Sequence, residues 1–161
     1  MTLHYFEKNT QHWRPDWQIV INNLGLCIQQ NKVRDLGRGG FVALDSVDPE
    51  YQKADDLAKK LGPNMSLHTY VSISPESNTS GPHRDEEDVY CLQAQGITQF
   101  YVWENEQQYD YIMTPGDLLH IPSGIPHEAV PLTPRVLLSY GDESHMTHNQ
   151  HMDDRHGIET S

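Results

Sequence analysis

Cysteine and basic residues are both scarce in this chain. Its two cysteines, Cys27 and Cys91, cannot form a disulfide framework, so we expect free thiols in a cytoplasmic protein. The 11 lysines and arginines stand against 23 acidic residues, which gives a formal net charge of −12. Because nucleic-acid backbones are bound by basic faces, this balance argues against nucleic acid as a general partner. An acidic surface favours solubility or the binding of a basic peptide or protein.

Long apolar runs are absent as well. No run approaches the roughly 18 residues that indicate a membrane span, so we expect no membrane association. Residues Met1 to Tyr5 lack the basic region and apolar core of a secretory signal, and we expect none. At 161 residues the chain has the length of a single compact domain.

Two segments of the sequence contain candidate metal-binding and catalytic residues. The first, Gly-Pro-His-Arg-Asp over residues 81–85, places His83 and Asp85 on one face of a strand, about 6–7 Å apart. The second, over residues 116–127, supplies His127. Two imidazoles and one carboxylate are the ligands of facial-triad non-haem iron, which keeps positions open for substrate and oxygen. We therefore predict that His83, Asp85 and His127 form an iron site and carry the catalysis.

Both segments resemble the motifs of cupins. A lone His-x-Asp is a weak signal among ten histidines, but Gly-x5-Pro-x-Gly-x2-His over residues 116–127 matches the second cupin motif. In the first motif Asp85 replaces a His ligand and Val89 replaces a Glu ligand, while Gly96 falls at the usual Gly. A four-ligand cupin site thereby becomes a three-ligand site.

Residues 71–141 resemble the JmjC-type core of 2-oxoglutarate-dependent oxygenases, including bacterial ribosomal-protein hydroxylases and an asparaginyl hydroxylase. The resemblance implies a mainly β fold, a double-stranded β-helix of the cupin or jelly-roll type with N-terminal helices. It also implies Fe(II), 2-oxoglutarate as cosubstrate, O2, and hydroxylation of a C–H bond in a peptide, protein or small metabolite. Homodimerisation is a further expectation from the cupin resemblance.

One position departs from these relatives. They carry a Lys or Arg fifteen residues after the first His ligand to hold the cosubstrate carboxylate, and this chain has Thr98 there. Burying an unpaired anion is costly, so another cation is needed, and we predict Arg135, eight residues after His127. The alternative for Arg135 is an exposed position in a turn. Ser80 matches an assisting hydroxyl of some relatives, and Tyr70 either reaches the cosubstrate or is a core tyrosine.

The chain divides into three predicted parts. Residues 1–64 are expected to form a helical or irregular cover, 65–141 the cupin core, and 142–161 a polar, disordered tail. One helix is expected after a cap at Asp16, a second from Pro49 to Lys60, and a glycine-rich loop over residues 36–48. The apolar face of the first helix should comprise Trp17, Val20, Ile21, Leu24 and Ile28. The tail histidines His145, His148, His151 and His156 either bind a transition metal or are simply solvated.

Short strands separated by turns predict a sandwich or barrel for the core. The predicted strands are Leu67–Ser74, Val89–Ala94, Gln99–Glu104, Tyr109–Met113, Asp117–Ile121, His127–Val130 and Val136–Tyr140. Within the second motif, His120 is expected to pack or face solvent rather than touch the metal, and Asp117 to order a turn.

Two other functional classes remain open from the sequence. One is a metal-dependent cupin enzyme that does not use 2-oxoglutarate, such as a dioxygenase, isomerase or lyase, and Thr98 favours it. The other is a non-catalytic cupin that binds a small ligand or a protein, in which His83, Asp85 and His127 are residual polar groups.

Overall fold

The computed structural model describes residues 1–143 and the backbone of residues 158–159. The four tail histidines and most of the predicted disordered tail therefore lie outside the described residues. Within the described chain, the strands are β1 (Tyr5–Glu7), β2 (Val33–Gly37), β3 (Gly40–Ala43), β4 (Met65–Ser72), β5 (His83–Arg84), β6 (Val89–Gln95), β7 (Thr98–Glu104), β8 (Gln107–Met113), β9 (Leu118–Ile121), β10 (His127–Pro131), β11 (Arg135–Asp142) and β12 (Ile158–Glu159). The helices are α1 (Trp17–Gln29), a 3-10 helix (Pro49–Ala54) and α2 (Asp55–Leu61).

The strands form two antiparallel sheets. The large sheet has the order β1-β9-β6-β11-β4-β3-β2, and the small sheet has the order β12-β5-β10-β7-β8. Their inner faces share one apolar core, to which the large sheet contributes Tyr70, Cys91 and Leu137 and the small sheet Phe100 and Val102. The predicted mainly β, double-stranded β-helix fold is confirmed.

All seven predicted core strands are present within two residues of their predicted bounds. The alternation of buried and exposed residues that identified them comes from the sandwich, in which one face of each sheet meets the core. In β7, for example, Phe100 and Val102 are buried, while Tyr101 and Trp103 between and beyond them are only partly covered.

Helix α1 begins as predicted but turns a different face inward. The Asp16 carboxylate caps it by accepting a hydrogen bond from the Ile19 amide at 2.9 Å. Ile21 and Ile28, predicted to be buried, are 49% and 55% exposed. Their place on the inner face is taken by Asn23, whose side chain bonds to backbone groups of residues 45, 47 and 48.

The second predicted helix is confirmed, although its first part is a 3-10 helix. Asp48 caps that segment by accepting a hydrogen bond from the Glu50 amide at 2.9 Å, and α2 ends before Gly62. Val20 of α1 and Leu57 of α2 both pack on the outer face of the large sheet. Among the described residues, no helix is long and apolar enough to cross a membrane.

The predicted loop over residues 36–48 was wrong, because most of its first half belongs to the hairpin β2–β3. Its glycines form the tight turn: Gly37 and Gly39 have φ of 94° and 81°, values that favour glycine. The predicted helical cover therefore contributes three strands, β1, β2 and β3, to the large sheet.

Candidate active site

His83, Asp85 and His127 converge as the sequence predicts. Strand β5 pairs with β10 so that His83 lies opposite His127, with ring centroids 4.4 Å apart. Asp85 follows β5 and places its two carboxylate oxygens 3.5 Å from His83 Nε2 and 3.4 Å from His127 Nε2. All three side chains are buried, and their potential ligand atoms lie within 4.8 Å of one another. Two imidazoles and a carboxylate gathered in this way are a group that could hold a metal ion.

The same type of local hydrogen bond orients both imidazoles. Each histidine follows a proline, and each Nδ1 bonds to the carbonyl of the residue before that proline. His83 Nδ1 lies 2.7 Å from Gly81 O, and His127 Nδ1 lies 2.9 Å from Ile125 O. A carbonyl only accepts, so Nδ1 carries the proton and donates. With the Nδ1 proton held in this way, Nε2 is the ring nitrogen that a neutral imidazole offers to a metal.

The surroundings of His83 favour its neutral form. Burial lowers the pKa of His83, and the neighbouring His127 lowers it further. Asp85 and the Gly81 carbonyl raise it in part. Neutral imidazole is the form that binds metal, so this histidine is ready for coordination at neutral pH.

The cluster lies in a pocket between the two sheets. The pocket holds about 420 Å³ of empty space, including its open mouth. Its other wall residues are Tyr70, Thr79, Ser80, Gly81, Val89, Cys91, Phe100, Ala129, Arg135, Leu137 and Ser139. Tyr70, Ser80 and Arg135 thus line the same pocket as the three candidate metal ligands, and Tyr70 also belongs to the core. Val89, which stands at the sequence position of the fourth cupin ligand, lines the pocket with an apolar side chain.

Arg135 is a buried cation of this pocket, and the alternative of an exposed turn residue is wrong. It is 2% exposed at the start of β11. Its Nε donates to Ser72 Oγ at 3.0 Å, and its Nη1 lies 3.4 Å from Thr98 Oγ1. Burial lowers its pKa to about 10, so the guanidinium remains charged at neutral pH.

No carboxylate within residues 1–143 forms a salt bridge with Arg135. A buried cation without an anion is unfavourable, and an anionic ligand in the pocket would complete the pair. The arrangement can therefore hold a divalent metal on the small sheet and, in the same pocket, a carboxylate-bearing molecule at Arg135 on the large sheet.

Two residues of the second motif lie outside the pocket, as expected. The His120 ring stacks on Tyr90 at a centroid distance of 4.3 Å, and its Nε2 lies 3.8 Å from Asp88. Asp117 orders the preceding turn by accepting hydrogen bonds from the amides of Asn9 and Thr114.

Sequence reasoning missed Ser72 and Ser139. Ser72 binds Arg135, and Ser139 lines the pocket. Strand alternation carried a signal for Ser72, because it shares a face of β4 with Tyr70. For Ser139 no such signal exists in the sequence. Its position in the pocket depends on the pairing of β11 with β4, where it lies opposite His68, a residue far away in the sequence.

Comparison with known proteins gives a consistent result. A family model described as the JmjC domain matches residues 97–152. The probable ribosomal oxygenase of Haemophilus influenzae is 24% identical over 159 residues, which cover 84% of this chain and 33% of that protein. The ribosomal oxygenase YcfD of Escherichia coli with cobalt and 2-oxoglutarate is 26% identical, with a TM-score of 0.53 over 63% of this chain and 31% of that one.

A second structure of YcfD, with cobalt and succinic acid, gives a TM-score of 0.54 at the same identity and coverage. The chain thus spans about a third of the length of these relatives. It carries a JmjC-like cupin fold.

Proposed function

We propose that this JmjC-like cupin chain is an Fe(II)- and 2-oxoglutarate-dependent oxygenase that hydroxylates a C–H bond. One observation carries the proposal: a buried cluster of two imidazoles and a carboxylate shares its pocket with a buried cation. The likeness to YcfD, whose structures contain cobalt with 2-oxoglutarate or succinic acid, supports it.

The donor set fits ferrous iron. Two imidazole nitrogens and one carboxylate oxygen on one side of an ion are typical of non-haem iron oxygenases. Val89 offers no fourth ligand, so the positions toward the pocket stay open. When bound, iron with 2-oxoglutarate and O2 supplies the oxidation of a substrate C–H bond, coupled to decarboxylation of the cosubstrate to succinate.

The protein residues hold and orient these groups. His83 and His127 bind the metal through Nε2, and Asp85 binds it while balancing part of its charge. Arg135 binds the distal carboxylate of 2-oxoglutarate through its fork of N–H donors. Ser72 and Thr98 hold the guanidinium in the required orientation.

The pocket walls complete the site. The hydroxyls of Tyr70, Ser80 and Ser139 line the pocket and offer hydrogen bonds to the bound cosubstrate. Phe100 and Leu137 line it with apolar surface, which limits water near the reacting groups.

The substrate is a peptide or protein side chain in this proposal, because the relatives are named as ribosomal oxygenases. A small metabolite is the alternative.

An anaerobic titration tests the function. Protein loaded with Fe(II) is titrated with 2-oxoglutarate while the weak visible charge-transfer band of the chelate is followed. We expect one iron per chain and a band that saturates. Iron binding without a band would favour a cupin enzyme that does not use 2-oxoglutarate. Failure to bind iron would favour a non-catalytic binding cupin.

A further inference from the structure

The outer face of the small sheet lies on the reverse side from the metal ligands. On β10 the buried His127 points into the pocket, and its neighbour Glu128 points to the other face. Both helices pack on the large sheet, and the outward residues of this face are half-buried or exposed. The outward residues of β7, β8 and β10 are Gln99, Tyr101, Trp103, Gln108, Asp110, Ile112, Glu128 and Val130.

Three of these residues form a row across the sheet. Glu128 lies directly opposite Tyr101 on one side, and Asp110 lies directly opposite it on the other. Directly opposed Cβ atoms in an antiparallel pair are about 5 Å apart, so the Tyr101 ring lies between two carboxylates.

A second aromatic ring lies beside this row, on the same strand as Tyr101. The ring of Trp103 stacks beside that of Tyr101, with centroids 6.3 Å apart and an angle of 21° between the planes. Gln108 fixes the arrangement: its Oε1 accepts from Trp103 Nε1 at 3.0 Å, and its Nε2 donates to Asp110 Oδ1 at 2.9 Å.

The carboxylates of this row lack cations of their own. Within the described chain neither Glu128 nor Asp110 takes part in a salt bridge. Arg84, on β5, is the only lysine or arginine in strands β5, β7, β8 and β10. The face is therefore locally acidic on a chain whose net charge is −12.

We propose that this face is a docking site for an arginine-bearing segment of a basic partner protein. The guanidinium lies on the Tyr101 ring and donates to Glu128 and Asp110 on either side. Arginine fits better than lysine because its planar group stacks on an aromatic ring while its edges reach carboxylates. The proposal does not depend on the oxygenase activity, since the two sites lie on opposite faces of the sheet.

Binding of a model peptide tests the proposal. A capped peptide of alternating glycine and arginine is titrated into the full chain at low salt, and the indole N–H signal of Trp103 is followed by NMR. Trp103→Phe assigns that signal among the three tryptophans. We expect a saturable shift of this signal, and weaker binding of a glycine–lysine peptide of equal charge.

Two pairs of substitutions with equal loss of charge separate docking from general attraction. Asp110→Asn with Glu128→Gln should weaken binding about tenfold. Asp55→Asn with Asp56→Asn, on the exposed start of α2, should change it less than about twofold. Tyr101→Leu, which keeps both carboxylates, should remove the preference for arginine. Far-ultraviolet circular dichroism checks that each variant is folded.

Three results would overturn the proposal. Equal weakening by the two charge pairs would show that the peptide is attracted only to the net charge. Shifts confined to Trp13 or Trp17 would place the peptide elsewhere. A Trp103 shift that follows protein concentration without peptide, with dimer formation in sedimentation, would assign the face to contacts between copies of the chain.

Discussion

Nη1 of Arg135 lies 3.4 Å from the hydroxyl of Thr98, the position at which similar oxygenases carry a lysine or arginine. The two residues belong to different sheets, since Thr98 begins β7 and Arg135 begins β11. In the proposed site the cation therefore comes from β11 and reaches the side chain of Thr98 on β7. If Arg135 binds the cosubstrate, Thr98 does not argue against the use of 2-oxoglutarate.

Replacement of Arg135 should weaken cosubstrate binding but not iron binding. We expect Arg135→Ala to weaken 2-oxoglutarate binding by roughly 30-fold or more, since truncating one partner of a buried charge pair costs ~2 kcal/mol or more. Introducing Thr98→Lys into this variant should restore part of the affinity by returning a cation from β7. The measurement is the 2-oxoglutarate titration with iron content determined in parallel. Unchanged affinity in Arg135→Ala would remove this residue from the cosubstrate site.

Each metal ligand should be individually essential. His83→Ala, Asp85→Ala and His127→Ala each remove one of three ligands, so iron content and turnover should fall to background. His120→Ala is the matched control, because this histidine stacks on Tyr90 outside the pocket. Metal analysis after desalting measures the effect, with succinate formation as the activity readout. A ligand variant that keeps full turnover would contradict the assignment of that residue.

Metal affinity should fall as the pH drops below the ordinary histidine range. The folded-state pKa of His83 lies below its usual value, so protonation of this ring favours the unfolded chain. The associated stability is present above the unfolded pKa of about 6.5 and is lost as the pH falls through the lowered folded value. Iron binding and thermal melting of the metal-free chain between about pH 7.5 and 5 measure both effects. His83→Gln should flatten the melting profile, and an unchanged profile would contradict this origin.

Crowding at the hairpin turn should make Gly40 sensitive to substitution. A Cβ at Gly40 would lie 2.2 Å from the carbonyl oxygen of Asn78, which is backbone and cannot rotate away. We expect Gly40→Ala to lower the free energy of unfolding by about 1–3 kcal/mol. Gly25→Ala, in α1 with nothing within 4 Å, should raise it by about 0.5–1 kcal/mol. Urea denaturation of both variants compares them, and equal stabilities would show that the turn adjusts freely.

The convergence of His83, Asp85 and His127 and the core strands could be predicted from sequence because their signals are local. His83 and Asp85 are two residues apart, and the second motif fixes the turn before His127. The inward face of α1 could not be predicted, because Asn23 is buried by hydrogen bonds to backbone more than 20 residues away. The same limit applies to the hydrogen bond of Arg135 with Ser72, which lies 63 residues earlier in the chain.

The two Pro-His pairs have a consequence for metal exchange. The carbonyl of Gly81 orients the ring of His83, and the carbonyl of Ile125 orients the ring of His127. Each hydrogen bond is made within a segment of three residues, so the orientation of the rings does not require an ion. Each intervening proline has a fixed φ and loses little conformational entropy on folding. In small zinc domains, by contrast, the ion drives folding of the chain. Here the empty and loaded forms should share one backbone, and an ion should be able to leave and be replaced without unfolding.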